Sequence, residues 1–387
     1  MPEAIDETRL NDLIGKVIGD VAGAMGVFMA YLGDKAGVFA ALDGAGRLTC
    51  AELAAKTGLN EKYLHEWLGS VSAAGYVTFH AEDETFELSP EQALIFTREG
   101  QPACMQGFFE IVISQFAGEE KAVETFRSGQ GRPWSDHLPC CFCGTDRFFR
   151  PGYQANLIKN WIPALDGVEA KLKAGAKVAD IGCGHGSSTV MMAQAFPNST
   201  IHGIDLHAPS IEAAKAKAAE AGVTNVEFSV GKAQDFAGEG YDFACIFDAL
   251  HDMGDPVGAA RHIRETLAPG GTFMLVEPMA GDTMADNMHP LGQIFYAASC
   301  TICTPNSLSQ EVGRGLGAQA GETSWYHDND RLWVKLVVDN AAGANVQVGT
   351  PGAGVSTVGT GPGGAFDAGA SLGVSRQAQG SAVALNE

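Results

Sequence analysis

Val178-Ala179-Asp180-Ile181-Gly182-Cys183-Gly184-His185-Gly186 is the stretch on which the reading of this chain turns. An apolar lead-in ends in an acid, three glycines alternate with other residues, and Ser187, Ser188 and a helical run over 189–196 follow. That succession is a strand, a tight turn and a helix start, the place where an open α/β sheet receives a nucleotide-like ligand. Glycine suits the turn because it tolerates positive φ and lets a ligand come close to the backbone.

Downstream, strands and helices alternate regularly. A strand over 199–205 ends in Asp205, a helix spans 208–221, and a strand over 226–230 runs into Gly231-Lys232-Ala233-Gln234-Asp235. A strand over 241–248, a helix over 255–267, a turn at 269–271 and a strand over 272–277 complete the series. This alternation predicts an α/β fold, a Rossmann-like parallel sheet covered on both faces, with ligand contacts at the strand carboxyl ends. A dinucleotide fingerprint calls for glycine where Ser187 stands, and the turn holds no lysine or arginine for a phosphate. Asp205 is placed to accept both hydroxyls of a ribose. The pattern favours a non-phosphorylated cofactor that contains adenosine.

Toward the N-terminus the period changes. Residues 11–42 carry Leu13, Ile14, Val17, Ile18, Val21, Met25, Phe28 and Leu32 at helical spacing, which predicts one or two long, largely buried helices. Thr49 and Glu52 have capping-box spacing ahead of a short helix, Gly58 is placed to end it, and a second helix covers 60–73. Alternating segments at 76–80 and 85–89 add a two-stranded wing. A winged helix either reads DNA or joins two copies. The second helix offers Lys62 and His65 but also Glu61 and Glu66, and the wing is acidic. Phosphate neutralisation dominates nucleic-acid affinity, so dimerisation is the better reading. Residues 93–161 are helical and rich in aromatics, which predicts a lid over an apolar pocket for a small organic molecule. His137 is expected at the surface.

The chain has 387 residues, 45% hydrophobic and 18% charged, which fits a globular protein of two or three domains. The N-terminus is acidic and no apolar run reads as long or clean enough to cross a bilayer, so a cytoplasmic protein with no membrane partner is expected. A formal net charge of −21 speaks against nucleic acid and anionic lipid as partners. The nine cysteines are expected as reduced thiols. Cys140, Cys141 and Cys143 cluster without a second ligand pair, so no metal site is assigned.

These residues resemble the class I S-adenosylmethionine-dependent methyltransferases, whose first motif is Asp/Glu-x-Gly-x-Gly-x-Gly. The likeness covers about 178–278, and a winged helix followed by a helical cap is similar to the small-molecule O-methyltransferase branch, in which the winged helix mainly dimerises. The resemblance implies that Asp180, Gly182, Gly184 and Gly186 hold the methionine end of S-adenosyl-L-methionine. It places Asp205 on the ribose, Leu206 beside the adenine, Gly231, Lys232 and Ala233 along the adenine ring, and Asp248 in the same cofactor site. The family's acidic residue near the adenine is displaced here to Asp235. The segment from Asp248 to Asp255 looks like the family's His-Asp-Trp-x-Asp, with Met253 for tryptophan, and implies that His251 is the general base. Imidazole suits that task near neutral pH. Asp252 and Asp255 read as helix N-terminal acids.

The implied reaction is in-line methyl transfer to an oxygen of a small apolar acceptor, a hydroxylated aromatic or polycyclic molecule, by a homodimer. Trp134, Phe149, Tyr153, Met288 and Phe295 are expected to line the acceptor pocket. Two other readings stay open: a winged-helix transcriptional regulator that senses the cofactor, and a member that binds it without transfer. The expected domains are a winged-helix dimerisation domain at 1–95, a lid and linker at 96–160, a cofactor-binding domain at 161–322 and an atypical Gly/Ala-rich tail at 323–387. Within that tail, 331–338 and 345–348 have strand character, 349–387 reads as disordered, and the family's usual last hairpin is not recognisable.

Overall fold

The computed structural model describes residues 5–278, 280 and 283–318, together with the backbone of short strands between 336 and 386. The chain divides into two compact units, Met1–Ala117 with Cys143–Pro151, and Gly118–Phe142 with Gly152–Glu387.

In the first unit, α1 (Glu7–Lys35) starts on Asp6, whose carboxylate accepts the N–H groups of Thr8 and Arg9, and α2 (Val38–Leu42) follows. The 11–42 stretch is therefore one long helix and one short one. It is not largely buried: Leu13, Ile14, Val17, Ile18 and Val21 are exposed, and within α1 only Gly26, Ala30 and Gly33 are buried. The periodicity is present, but among the described residues most of the apolar stripe stays exposed. By length and composition α1 is also apolar enough to cross a membrane, which corrects the expectation that no stretch is. Its glycines and alanines lengthen the apolar run that the few charges were expected to break.

The winged helix is present as expected. After β1 (Leu48–Thr49), Thr49 and Glu52 form a reciprocal capping box for α3 (Cys50–Thr57), Gly58 closes that helix at φ +71°, and Asn60 caps α4 (Glu61–Ala73). The wing, β2 (Thr78–His80) and β3 (Thr85–Glu87), is antiparallel, with β1 as a third strand on β3. In the core of this unit Phe39 stacks on Phe96 at 4.6 Å and meets Trp67 edge-on at 5.1 Å. Gly33 is needed where α1 passes Trp67, because a Cβ there would lie 2.2 Å from the indole. The aromatic helical stretch resolves into α5 (Pro90–Phe96), α6 (Gln106–Ala117), α7 (Glu119–Ser128) and α8 (Pro139–Asn156).

In the second unit, α9 (Val168–Ala174) leads into β4 (Lys177–Ile181), followed by β5 (Thr200–Asp205), β6 (Val226–Val230), β7 (Tyr241–Phe247) and β8 (Leu267–Pro278). These strands are parallel in the order β8-β7-β4-β5-β6, joined through α10 (Ser187–Ala195), α11 (Ala208–Glu220) and α12 (Pro256–Thr266). Alternate residues feed two cores. Val178, Ile201, Phe243, Cys245 and Met274 pack with Trp161, Leu172 and Phe196, whereas Ala179, Ile181, Ile204, Ala244 and Ile246 pack with Phe236 and Ile263. Period two with both sets buried is what a doubly covered parallel sheet requires. Strand order reverses beside β4, so the crevice for a ligand opens at the end of the stretch 178–186.

The turn expected at 269–271 lies within β8, where the pairing with β7 shifts register. β9 (Leu336–Val338) runs parallel to β8, while β10 (Val346–Thr350), β11 (Gly354–Gly359) and β12 (Gly373–Arg376) form a separate antiparallel sheet. β13 (Leu385–Asn386) is antiparallel to β8. Strand character at 331–338 and 345–348 thus has counterparts, whereas 349–387, expected to be disordered, contains β11, β12 and β13; the rest of that tail lies outside the described residues.

Candidate active site

The glycine turn after β4 is built by backbone conformation and close packing together. Gly182, Gly184 and Gly186 take φ of +73°, +52° and +74°, a region that side chains disfavour. A Cβ on Gly182 would lie 2.8 Å from Ala249 Cβ, and one on Gly186 2.7 Å from Ala214 Cβ. At Gly184 nothing lies within 4 Å of that point, so this part of the turn is open. Asp205 braces it: Oδ2 accepts the Gly184 N–H and Oδ1 the His207 N–H, both at 2.8 Å.

Asp180 is fully committed beneath the turn. Its Oδ2 accepts the hydroxyls of Ser188 at 2.7 Å and Thr189 at 2.6 Å, which fastens β4 to the start of α10. Burial pushes its carboxyl up to about 6 in spite of those donors. Burial likewise raises Asp205 against its two backbone donors. On the neighbouring strand ends Leu206 and Lys232 are exposed, Ala233 is buried, and the Gly231 N–H bonds to the Asp205 carbonyl at 3.0 Å.

β7 runs into Asp248, a non-glycine residue at φ +51°, and then into a 3-10 turn over Leu250–Asp252 that carries His251. Such a backbone outlier costs free energy and gathers at functional sites. The turn is held from β8. Glu277, buried at the end of that strand, accepts the Leu250 N–H on Oε1 at 2.7 Å and meets His251 Nδ1 with Oε2 in a short hydrogen bond. Asp248 Oδ2 accepts the Tyr153 hydroxyl at 3.3 Å, while its buried Oδ1 has no hydrogen-bond partner among the described residues. Burial, reinforced by the charge of Glu277, pushes the Asp248 carboxyl well above its ordinary range. For His251, burial acts to lower the pKa, but the carboxylates of Glu277 and Asp252 outweigh it and the net shift is well upward.

Asp252 does not cap a helix as expected. Its Oδ1 lies 3.3 Å from His251 Nε2, within the same 3-10 turn. Asp255 does cap α12, accepting the Gly258 N–H at 2.9 Å. Residues from the far end of the described chain close over the turn. After α13 (Pro290–Ala298) and a π-helical turn over Ser299–Cys303, α14 (Thr304–Leu308) bonds to it through Asn306 Nδ2 to the Asp252 carbonyl at 3.2 Å and Ser307 Oγ to the Met253 carbonyl at 3.0 Å.

The expected pocket residues divide. Tyr153 packs on Phe247 at 5.3 Å as well as bonding to Asp248, and the Trp134 N–H donates to Asn306 Oδ1 at 3.0 Å, so both belong to the neighbourhood of His251. Phe295 is half-buried on α13, whereas Met288 is exposed. Phe149 lies in the first unit, packed edge-on against Phe148 at 5.1 Å. His137, expected at the surface, is buried: its ring lies 5.7 Å from that of Trp134, because the 3-10 turn Trp134–Asp136 folds it inward. Sequence reasoning passed over Glu277 and Cys303. The first was findable, as an acid at the carboxyl end of the strand next to that of the histidine. The second sits 52 positions from His251 and carries no local signal.

Comparison with known proteins agrees with this architecture. Residues 172–317 match the family model described as a methyltransferase domain, and 23–98 match the Rv2258c-like winged HTH domain. A ubiquinone biosynthesis O-methyltransferase of Leptothrix cholodnii is 34% identical over 131 residues, 33% of this chain and 53% of that protein. An O-methyltransferase of Aspergillus sclerotiorum is 26% identical over 186 residues, 47% of this chain and 70% of that protein. The match thus spans about half of the first relative's length. Among solved structures, the mitomycin 7-O-methyltransferase is similar at a TM-score of 0.57 with 18% identity, covering 77% of this chain and 88% of that one. Human N-acetylserotonin methyltransferase, solved in complex with SAM, is similar at 0.55 with 16% identity, covering 81% and 89%. Residues 23–98 are thus similar to a winged helix-turn-helix domain and residues 172–317 to a methyltransferase domain, with the fold of the O-methyltransferase structures.

Glu277→Gln removes the nearest of the charges that raise His251. The titration midpoint of the His251 ring, followed by NMR, is expected to fall; an unchanged midpoint contradicts the coupling of the two side chains.

Proposed function

We propose that this chain transfers a methyl group from S-adenosyl-L-methionine to a hydroxyl oxygen of a small apolar acceptor, with His251 as general base. The observation that carries the reading is the His251–Glu277 pair, set beside Asp248 at the carboxyl ends of β7 and β8 and next to the open glycine turn of β4. A histidine bonded to a carboxylate is common in protein cores. Its place at strand ends around a switch point gives this one a chemical use.

The site suits a cationic ligand without phosphates. Asp180, Asp205 and Asp248 are all raised by burial, and Asp248 Oδ1 has no partner among the described residues, so a positive charge nearby relieves an existing cost. When bound, S-adenosyl-L-methionine supplies a sulfonium-activated methyl group. Gly182, Gly184 and Gly186 with Asp180 beneath them would hold its methionine end, Asp205 its ribose, and Leu206, Gly231, Lys232 and Ala233 its adenine. Asp248, on the loop that leads from β7 to the base, would face the cationic part.

Glu277 holds Nδ1 of His251, which leaves Nε2 to take the acceptor's proton. With two carboxylates raising it, the ring holds its proton at neutral pH until a cation offsets their field, and a base works only once deprotonated. Turnover therefore rises with pH through the His251 pKa. Trp134, Tyr153, Phe295 and Met288 are assigned to the apolar wall that orients the acceptor.

The working form we propose is a homodimer joined through the first unit. Leu10, Ile14, Val17, Val21, Met25, Phe28 and Leu32 are exposed at spacings of three and four, the seam of a helix that packs on another helix. Arg9, Asp12, Lys16 and Asp20 lie on the opposite face at the same spacing, whereas a membrane-spanning helix is apolar all round. The regulator reading is weaker, since Arg47 beside the wing is paired with Glu82 at 3.0 Å.

His251→Ala is expected to lower kcat by about 10²- to 10⁴-fold while calorimetry shows unchanged affinity for S-adenosyl-L-methionine. The acceptor comes from a screen of hydroxylated aromatics with isotope-labelled methyl donor, and parent-rate transfer by the variant overturns the base assignment. Val21→Asp is expected to convert a dimer to a monomer by light scattering; a variant that keeps the dimer mass contradicts the seam.

A further inference from the structure

We infer a binding site for a thiophilic divalent cation of the zinc class, formed by His251 Nε2, an Asp252 carboxylate oxygen and Cys303 Sγ. The three donor atoms lie within 4.8 Å of one another, and Nε2 to Oδ1 is 3.3 Å. With metal–ligand arms of about 2.0–2.3 Å, neighbouring donors in a tetrahedral site stand roughly 3.3–3.8 Å apart. The nitrogen–oxygen edge is therefore already at length, and the sulfur lies within 4.8 Å of both other donors. Among these donors only one is a carboxylate, and imidazole with thiolate selects zinc-like ions over magnesium or calcium.

The surroundings are those of a built site. Glu277 bonds Nδ1 of His251, the carboxylate–histidine arrangement that fixes the ring of a metal ligand and leaves Nε2 for the ion. Cys303 ends a π-helical turn, a local widening that often marks functional sites. The segment after it is cross-linked to the residues that follow His251. Asn306, Ser307 and Gln310 donate to the carbonyls of Asp252 and Met253 at 3.0–3.2 Å, and Gln310 Oε1 accepts the Gly254 N–H at 2.8 Å. These bonds hold the thiol opposite the imidazole without help from an ion. His251 and Asp252 both keep some solvent exposure, which gives an ion a way in and a water molecule the fourth position.

On binding, the Cys303 S–H bond and the Nε2–H bond of protonated His251 both break, the two protons leave to solvent, and sulfur–metal and nitrogen–metal bonds replace them; no electron is transferred. The ion takes the Nε2 lone pair. If Nε2 is the base of methyl transfer, as proposed above, metal-bound and transfer-competent states exclude each other, and the ion is a reversible brake on the enzyme.

The test uses the full chain, freed of metal by chelator, titrated with Co²⁺ and separately with Zn²⁺. A sulfur-to-cobalt charge-transfer band and one zinc bound per chain by calorimetry are expected. Cys303→Ser and Asp252→Asn, each verified as folded by circular dichroism, should remove the band or weaken binding strongly, whereas Cys143→Ser and Cys300→Ser at exposed thiols should leave both intact. Glu277→Gln should weaken zinc binding by about 10- to 100-fold. Absence of the band in the parent chain, or its persistence in Cys303→Ser, overturns the site. Zinc bound through Cys303 with methyl transfer undiminished would leave the site standing and overturn the base assignment.

Discussion

One carboxylate on β8 governs the chemistry of the strand beside it. Glu277 is buried, and its two oxygens are spent on the loop after β7, one on the Leu250 N–H and one on His251 Nδ1. A buried charge without partners is costly, and both of these partners come from the turn that presents the histidine. The imidazole orientation, its raised pKa and the positive φ of Asp248 all belong to the same three-residue approach from β7. The sheet's parallel pairing places Glu277 there, since β7 and β8 run in register up to Phe247 and Val276.

Around that pair the second unit gathers acids that its own residues do not neutralise. Asp180 is satisfied by hydroxyls, Asp205 by backbone N–H groups and Asp248 only in part, and burial raises all three. Neutral donors can satisfy hydrogen bonding, but they do not replace the hydration of a charge. A group of raised acids of this kind is stabilised by a cation. The first unit solves a different problem, since its long α1 offers an apolar seam that one copy of the chain leaves exposed.

Much of this was legible in residue pattern. Alternation of strands with helices gave the parallel sheet, the capping pair Thr49–Glu52 with Gly58 gave the helix-turn-helix, and the acid after β5 gave Asp205. Where reading failed, the decisive contacts were distant or the partner was absent. Periodicity shows that α1 has an apolar face but not whether its own chain covers it. His137 looked like a loop residue because the 3-10 turn that buries it has no strong signature. Asp252 was assigned to a helix dipole, and only the folded turn shows it facing His251. Cys303 lies 52 positions beyond His251 and reaches the site through a π-helical turn that spacing rules do not anticipate.

The most direct measurement is calorimetry of S-adenosyl-L-methionine binding near pH 6, where Asp180 titrates, in two buffers of different ionisation enthalpy. A cation set among acids raised by burial lowers their pKa values, so protons leave when it binds. The expected result is saturable binding with net proton release that differs in heat between the buffers. Failure to bind, or binding with no proton exchanged, would contradict the assignment of this crevice to a sulfonium methyl donor.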